Sequence, residues 1–281
     1  MDGIIVIDKE KGVTSRDVVN DLVHIFHTKK IGHTGTLDPL ATGVLVCTLG
    51  KYTKLGEVLT STYKEYIAEF KLGYKTDTYD IEGTILEENS VSLTDEEIRD
   101  AIMSFKGKYM QEVPIYSSVK VNGKKLYDYA RSNMEVELPK REVDIKELEV
   151  LSIKDNIVEI KCLVSKGTYI RSLINDIGLK LKCGAIMTNL RRTKQGIFNI
   201  EDAYKIEDVR NGNYKFINII DAIEYKKVEV DDYLLSRIKN GSILENRYDT
   251  DTIAFTYNNE LVAIYKEYEK DLTKIKPWKM L

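Results

Sequence analysis

Cysteine is scarce: Cys47, Cys162 and Cys183 are the three in 281 residues, with no Cys-x-x-Cys spacing. Such a set argues against a disulfide scaffold and a cysteine-based zinc site, and it fits a reducing cytoplasm. Long apolar runs are missing too. No stretch approaches the roughly 20 residues that a membrane-spanning helix needs, so no membrane association is expected. The start, MDGIIVIDKEKG, carries acid early and an apolar run of only Ile4 to Ile7, so no secretory leader is expected. Low-complexity tracts are absent, which argues against disorder, and so are internal repeats. An excess of positive charge is also lacking. The net charge is −3 and the pI about 5.8, which alone speaks against nucleic acid as a partner.

What is present is the composition of a soluble globular protein, 43% hydrophobic and 31% charged. The length suits one large domain, or one large and one small. The charge is uneven. Between Lys106 and Arg141 eight basic residues stand against four acidic ones, enough for an acidic protein to meet RNA locally.

Along the chain, Gly3 to Asp8 reads as a short buried strand. Thr14 and Asp17 form a capping-box pattern. The helix they open places Val18, Val19, Leu22, Val23 and Phe26 on one face. IGHTGTLDPLATG, residues 31–43, has the composition of a loop. Strands follow at 44–49 and 63–72. Thr94 and Glu97 open a second helix, expected to stop at Gly107. Residues 113–140 are basic and tyrosine-bearing, with a helical piece at 126–131. Strands are expected at about 143–151 and 157–164, a helix over 168–182 and a strand or extended segment over 185–191. Beyond about residue 225, short alternating runs predict a small β domain. Strands and helices mix without βαβ rhythm, so the class is α+β.

The loop around Asp38 is suited to chemistry. Glycines let the backbone approach a ligand, and Pro39 stiffens the exit. A carboxylate there can form a covalent intermediate with a sugar or an electrophilic base carbon. Asp is also a common turn and cap residue, so the loop alone does not decide.

Resemblance decides. GHTGTLDPLATGVL is similar to the motif around the catalytic aspartate of the bacterial tRNA pseudouridine-55 synthase family (TruB type). DKEKGVTS (8–15), KEYIAEFKLGYKTDTYDIEG (64–83), VPIYSSVKVNGKKLYDYAR (113–131), SKGTYIRSL (165–173) and LRRTKQGIF (190–198) resemble further family segments, in the family's order. The likeness spans about residues 3–225. Glu10 stands where the family usually has proline, Val113–Pro114 replaces a double proline, and the C-terminal region is short.

The resemblance implies the pseudouridine synthase fold, α+β, with a mixed, largely antiparallel central sheet and a small mostly-β C-terminal domain. Residues 1–225 would form the catalytic domain, with an RNA-contacting insertion at about 106–140. Residues 228–281 would form a PUA-like RNA-binding domain, possibly truncated. The implied reaction turns uridine into pseudouridine in the T-loop of tRNA, position 55, after the base leaves the stack. It involves no net redox or hydrolysis, so neither cofactor nor metal is expected. The T-stem-loop of tRNA is the expected partner, and the protein is expected to act as a cytoplasmic monomer.

Roles carry over residue by residue. Asp38 is the implied nucleophile, and Arg171 its ionic partner. Tyr66 is the aromatic beneath the target base. Tyr169 is a second pocket wall, sharing a face with Arg171 only if that stretch starts extended. His33 is an RNA contact by stacking or a phosphate bond. Leu190 is an apolar pocket contact, and Asp80 and Lys64 are supporting substrate contacts. Arg191, Arg192 and Lys194 are candidate phosphate contacts.

Three other readings compete. Gly43 to Lys51 ends in Gly-Lys, but its spacing is wrong for a phosphate-binding loop and Tyr52 stands where Ser or Thr is needed. A non-catalytic RNA-folding protein would not require Asp38, Tyr66 and Arg171 together. A nucleoside hydrolase would want a second acidic group and no basic insertion.

Overall fold

The computed structural model describes residues 1–60, 63–132 and 134–281. β1 (Gly3–Lys9) leads to α1 (Ser15–Phe26), β2 (Ile31–His33) and β3 (Thr42–Leu49). A 3-10 turn at Gly50–Leu55 and α2 (Gly56–Leu59) precede β4 (Tyr63–Leu72). Then come β5 (Tyr74–Thr76), β6 (Ile85–Glu88), α3 (Asp95–Met103) and β7 (Gly107–Glu112). β8 (Lys120–Val121), β9 (Lys124–Lys125) and α4 (Leu126–Arg131) lie in a surface excursion. The chain returns through β10 (Lys140–Lys154), β11 (Ile157–Ser165), α5 (Ile170–Lys180) and β12 (Ala185–Gln195). β13 (Phe198–Asn199), α6 (Ile206–Arg210) and α7 (Ile219–Ala222) lead to the C-terminal region. That region holds β14 (Lys226–Glu229), α8 (Asp232–Lys239), β15 (Leu244–Glu245), β16 (Thr252–Tyr257), β17 (Glu260–Glu267) and β18 (Lys274–Met280).

Among the described residues, nine strands form the main sheet. Its path is β1-β3-β12-β4-β11-β10-β7, with β2 on β3 and β13 on β12. All pairs are antiparallel except β12 with β3, which run parallel at Arg191↔Thr42 and Arg192↔Gly43. Five strands form a second sheet, β14-β16-β17-β18-β15.

The burial pattern explains the sequence texture. Ile5 and Ile7 face the main core with α1, while Ile4 and Val6 face a second core with Ala254, Leu261 and Ile264 of the C-terminal sheet. β3 divides likewise, Leu45 and Cys47 to one side and Val44 and Val46 to the other. A strand covered on both faces reads as a continuous apolar run, as β1 and β3 do. Each such Val or Ile contributes roughly 1.5–3 kcal/mol by leaving water. β4 and β11 are covered on one face and alternate, with Tyr66, Ala68, Phe70 and Leu72 pointing inward.

Local signals act as their chemistry requires. Both capping boxes form, with Asp17 N bonded to Thr14 Oγ1 at 3.1 Å and Glu97 N to Thr94 Oγ1 at 3.2 Å. The helix after Thr94 ends at Met103, not at Gly107. Gly107 has φ +99° and opens β7, which pairs with β10 from Gly107↔Ile145 to Glu112↔Lys140. Residues 107–112 therefore belong to the main sheet, and the excursion from it runs from 113 to 139, with residue 133 outside the described residues. The helix expected over 168–182 is α5, and Tyr169 before it is extended, at φ −101° and ψ 114°. The segment expected to end at Arg191 continues as β12 to Gln195.

Candidate active site

Asp38 lies on the loop between β2 and β3. Its neighbours Leu37, Leu40 and Ala41 are buried, which pins the loop while the Asp38 side chain stays 43% exposed. Ser15, at the start of α1, holds the loop twice. Its Oγ accepts from Leu37 N at 2.8 Å and donates to the Leu37 carbonyl at 3.0 Å. The Pro39 carbonyl accepts from Gly12 N at 2.8 Å. Lys9 is fully buried, and its Nζ donates to the carbonyls of Val13 at 2.6 Å and Glu10 at 2.9 Å. Burial pushes its ammonium down to about 8, which the nearby Asp38 carboxylate partly opposes. The segment 8–15 thus braces the Asp38 loop from beneath.

Arg171 reaches the same point from α5 with only 8% of its side chain exposed. Its Nη2 lies 2.9 Å from Asp38 Oδ2, and its Nη1 lies 3.6 Å from Asp80 Oδ2. It also donates to the carbonyls of Thr78 and Tyr116, each at 3.1 Å. A guanidinium so committed has one orientation, which a flexible ammonium would not have.

The Thr78–Asp80 turn is shaped for this contact. Tyr79 takes φ +64°, rare for a residue with a side chain, and its carbonyl accepts from Met187 N of β12 at 3.0 Å. The turn presents the Thr78 carbonyl and the Asp80 carboxylate to Arg171 together. Asp80 Oδ1 is held by Thr78 Oγ1 at 2.6 Å and Glu82 N at 3.1 Å.

A cleft of about 570 Å³ opens over the pair, walled by Tyr66, Tyr169, Leu190 and Lys64. Tyr66 is 8% exposed on the inner face of β4. Tyr169 can share a face with Arg171 because it precedes the helix, and Gln111 fixes its backbone at 2.8 and 3.1 Å. From the excursion, Tyr116, Ser117, Lys125 and Tyr127 also line the cleft.

His33 does not line this cleft, nor do Arg191, Arg192 and Lys194. His33 ends β2 opposite Cys47, and its buried Nδ1 has no hydrogen-bond partner among the described residues. Burial, with Arg192 and Arg16 adding to it, lowers its pKa, so the ring is neutral near pH 7. Two arginines expected at phosphates are engaged elsewhere. Arg191 makes a two-pronged pair with Asp8 at 2.9 and 3.1 Å. Arg192 is 1% exposed and donates to the carbonyls of Val44 at 2.7 Å and Gly35 at 3.0 Å. Arg192 carbonyl and Gly43 approach so closely that a Cβ on Gly43 would fall 2.2 Å from that oxygen. Lys9, Ser15, Thr78 and Tyr116 went unnoticed in the sequence as site-builders. All lie inside family-like segments, but each of the four acts through a backbone carbonyl, which no side-chain pattern announces.

The model of the TruB family pseudouridylate synthase (N terminal domain) matches residues 23–170. This chain belongs to the TruB family of pseudouridylate synthases. A second model, the tRNA pseudouridylate synthase B C-terminal domain, matches residues 171–240. Within the family, tRNA pseudouridine synthase B of Clostridium tetani (strain Massachusetts / E88) is 43% identical over 272 residues, covering 95% of this chain and 93% of its own. The Clostridium acetobutylicum relative of the same name is 46% identical over 250 residues, 88% of this chain and 86% of its own. Among solved structures, a chain of a Cbf5-Nop10-Gar1 complex superposes with a TM-score of 0.73 at 28% identity, over 99% of this chain and 84% of that one. A chain of an H/ACA RNP bound to a substrate RNA containing 2′-deoxyuridine gives 0.71 at 26% identity, with the same coverage. The TruB-family chain has the pseudouridine synthase fold, α+β with a mixed central sheet and a mostly-β C-terminal region.

Proposed function

We propose that this chain isomerises uridine to pseudouridine in tRNA, at T-loop position 55, with Asp38 as the nucleophile. The observation that carries the assignment of the nucleophile is the Asp38–Arg171 pair at 2.9 Å on the floor of an aromatic-walled cleft. The substrate follows from the family and from its curated relatives, named tRNA pseudouridine synthase B.

In this reaction the N1–C1′ bond breaks, the base turns, a C5–C1′ bond forms, and the C5 proton leaves while N1 gains one. Asp38 supplies the covalent partner, at C1′ or at C6. Arg171 aims the carboxylate. Tyr66 stacks against the extruded base, and Tyr169 and Leu190 complete the slot. Asp80 sets the second edge of the guanidinium. His33, neutral and outside the cleft, contacts RNA by stacking. No helix among the described residues is long and apolar enough to cross a membrane. The three cysteines are buried and free, and burial pushes the Cys47 and Cys162 thiols up to about 12. Inert thiols and a tRNA substrate support work in the cytoplasm.

Residues 228–281 act as a PUA-like domain that grips tRNA outside the T-loop. The segment holds eight basic and ten acidic residues, so any grip comes from a local cluster. Lys239, Arg247 and Lys270 are exposed. Reversing all three to Glu should weaken tRNA binding several-fold, and unchanged affinity rejects this role. The main assignment is tested by mapping conversion at single-nucleotide resolution in a T-stem-loop and in an anticodon stem-loop. Conversion confined to the T-loop uridine is expected; conversion elsewhere, or none, rejects it.

A further inference from the structure

The cleft contains a cation, Lys64, that makes no ion pair among the described residues. Lys64 lies two residues before Tyr66 on β4, so both side chains stand on the same face of the sheet, and both line the cleft. Lys64 pairs across the sheet with Val164 and Gln195, neither of them charged. Among the described residues no carboxylate bridges it, and the charged groups acting on it are Arg192 and Lys166, both cations. Lys9 differs, because the Asp38, Asp17 and Glu82 carboxylates all oppose its deprotonation.

The Asp38 loop brings the backbone against these charges. The position a Cβ would take on Gly35 lies 3.4 Å from Lys64 Nζ, 3.5 Å from Arg192 Nη1 and 3.3 Å from Gln195 Oε1. Gln195, the cross-strand neighbour of Lys64, keeps its Oε1 buried with no hydrogen-bond partner among the described residues, an uncharged acceptor on this side. Arg192 is fixed from behind by its bonds to Val44 and Gly35 and adds positive field without leaving its place. Thr36, next in the loop, lines the same cleft. A cation lining the cleft, with a second cation buried nearby and a glycine beside both, forms a receptor for an anion.

We propose that Lys64, backed by Arg192 and bordered by Gly35 and Thr36, binds a backbone phosphate flanking the target nucleotide. The site rests on RNA being the substrate. It gives the extruded nucleotide a second fixed point besides the stacked base. Phosphate contact fixes register and carries no base information. A phosphate beside the target is the permanent anion that arrives with every RNA, whichever base is presented.

The test is a cycle between Lys64→Met and T-stem-loop RNAs carrying one neutral methylphosphonate on the 5′ or 3′ side of the target uridine. Equilibrium binding is measured alongside single-turnover conversion. One of the two neutral linkages should weaken wild-type binding about 10-fold or more, the range of one charge-assisted hydrogen bond. Lys64→Met should weaken binding of native RNA as much, and the same neutral linkage should then add less than about 2-fold. Its salt slope should fall by about 0.7–0.9, the share of one phosphate. Lys64→Arg should recover most of the loss, with thermal midpoints of both variants confirming folding. Losses that multiply independently overturn the site. So does a Lys64→Met that binds normally and only reacts slowly, which would place Lys64 at the reacting base. Wild-type enzyme binding native RNA without converting it would instead reject the enzymatic assignment, while the binding cycle would still report on Lys64.

Discussion

Arg171 Nη2 stands 2.9 Å from Asp38 Oδ2, and the same nitrogen donates to the Tyr116 carbonyl at 3.1 Å. One guanidinium thus joins the Asp38 loop to the first turn of the basic excursion. Tyr116 is anchored again by its hydroxyl, which donates to Asp77 Oδ2 at 3.3 Å. The Asp38 loop and the excursion are thus held to the same side chain.

Arg171→Lys keeps the charge but loses the planar fork. A single ammonium cannot serve Asp38, Asp80, Thr78 and Tyr116 in that geometry. Single-turnover conversion should fall about 100-fold or more, roughly 3 kcal/mol, while RNA affinity changes less than about 3-fold. Equal losses in rate and affinity would make Arg171 a binding residue.

His33 is held neutral by burial, so its contact with RNA should be aromatic and not ionic. His33→Phe should bind T-stem-loop RNA within about 3-fold of wild type, and His33→Ala should lose about 10-fold, the range of one base–aromatic stack. A Phe variant as weak as the Ala variant would show that a ring nitrogen makes the contact.

Lys64 is pushed down to about 8 by burial first, then by Arg192 and Lys166. A phosphate needs its protonated form, so kcat/KM should be flat below that value and fall as pH rises through about 8. Lys9 titrates in the same range. Lys64→Arg separates them: it should keep kcat/KM flat past pH 8, and a fall unchanged in that variant would assign the ionisation to Lys9.

Asp176, on the far side of α5, is raised to about 6 chiefly by burial, while its hydrogen bond from Tyr109 at 3.3 Å opposes the rise. The folded state therefore holds this proton more tightly than the unfolded chain. Stability from this group is full below about pH 4 and declines as pH rises through about 6. Asp176→Asn should raise the thermal midpoint at pH 8 by roughly 2–4 °C, the effect of about 1 kcal/mol in a domain of this size, and leave it unchanged at pH 4. A variant equally stabilised at both pH values would contradict the assignment.

Much of this was legible in the residues, for identifiable reasons. Thr14–Asp17 and Thr94–Glu97 are local hydrogen-bond patterns, so their helices began where expected. The end of α3 was misplaced because Gly107 has two uses for a positive φ, and here it turns the chain into a strand. The continuous apolar texture of β1 did not say that the C-terminal sheet covers its second face. Removing residues 228–281 would therefore uncover Ile4, Val6, Val44 and Val46. Asp38, Tyr66 and Arg171 were found through resemblance, and geometry brings them to one cleft. Arg192 misled, because an arginine in a charged run reads as surface whereas two carbonyls hold this one inside.

The central claim is that Asp38 attacks the substrate, and the direct measurement is single-turnover conversion by Asp38→Asn on a T-stem-loop RNA, with binding measured in parallel. Asparagine is nearly isosteric with aspartate but is no nucleophile. The variant should bind within about 3-fold of wild type and form no pseudouridine over many wild-type half-lives. Conversion at a measurable fraction of the wild-type rate would contradict the account.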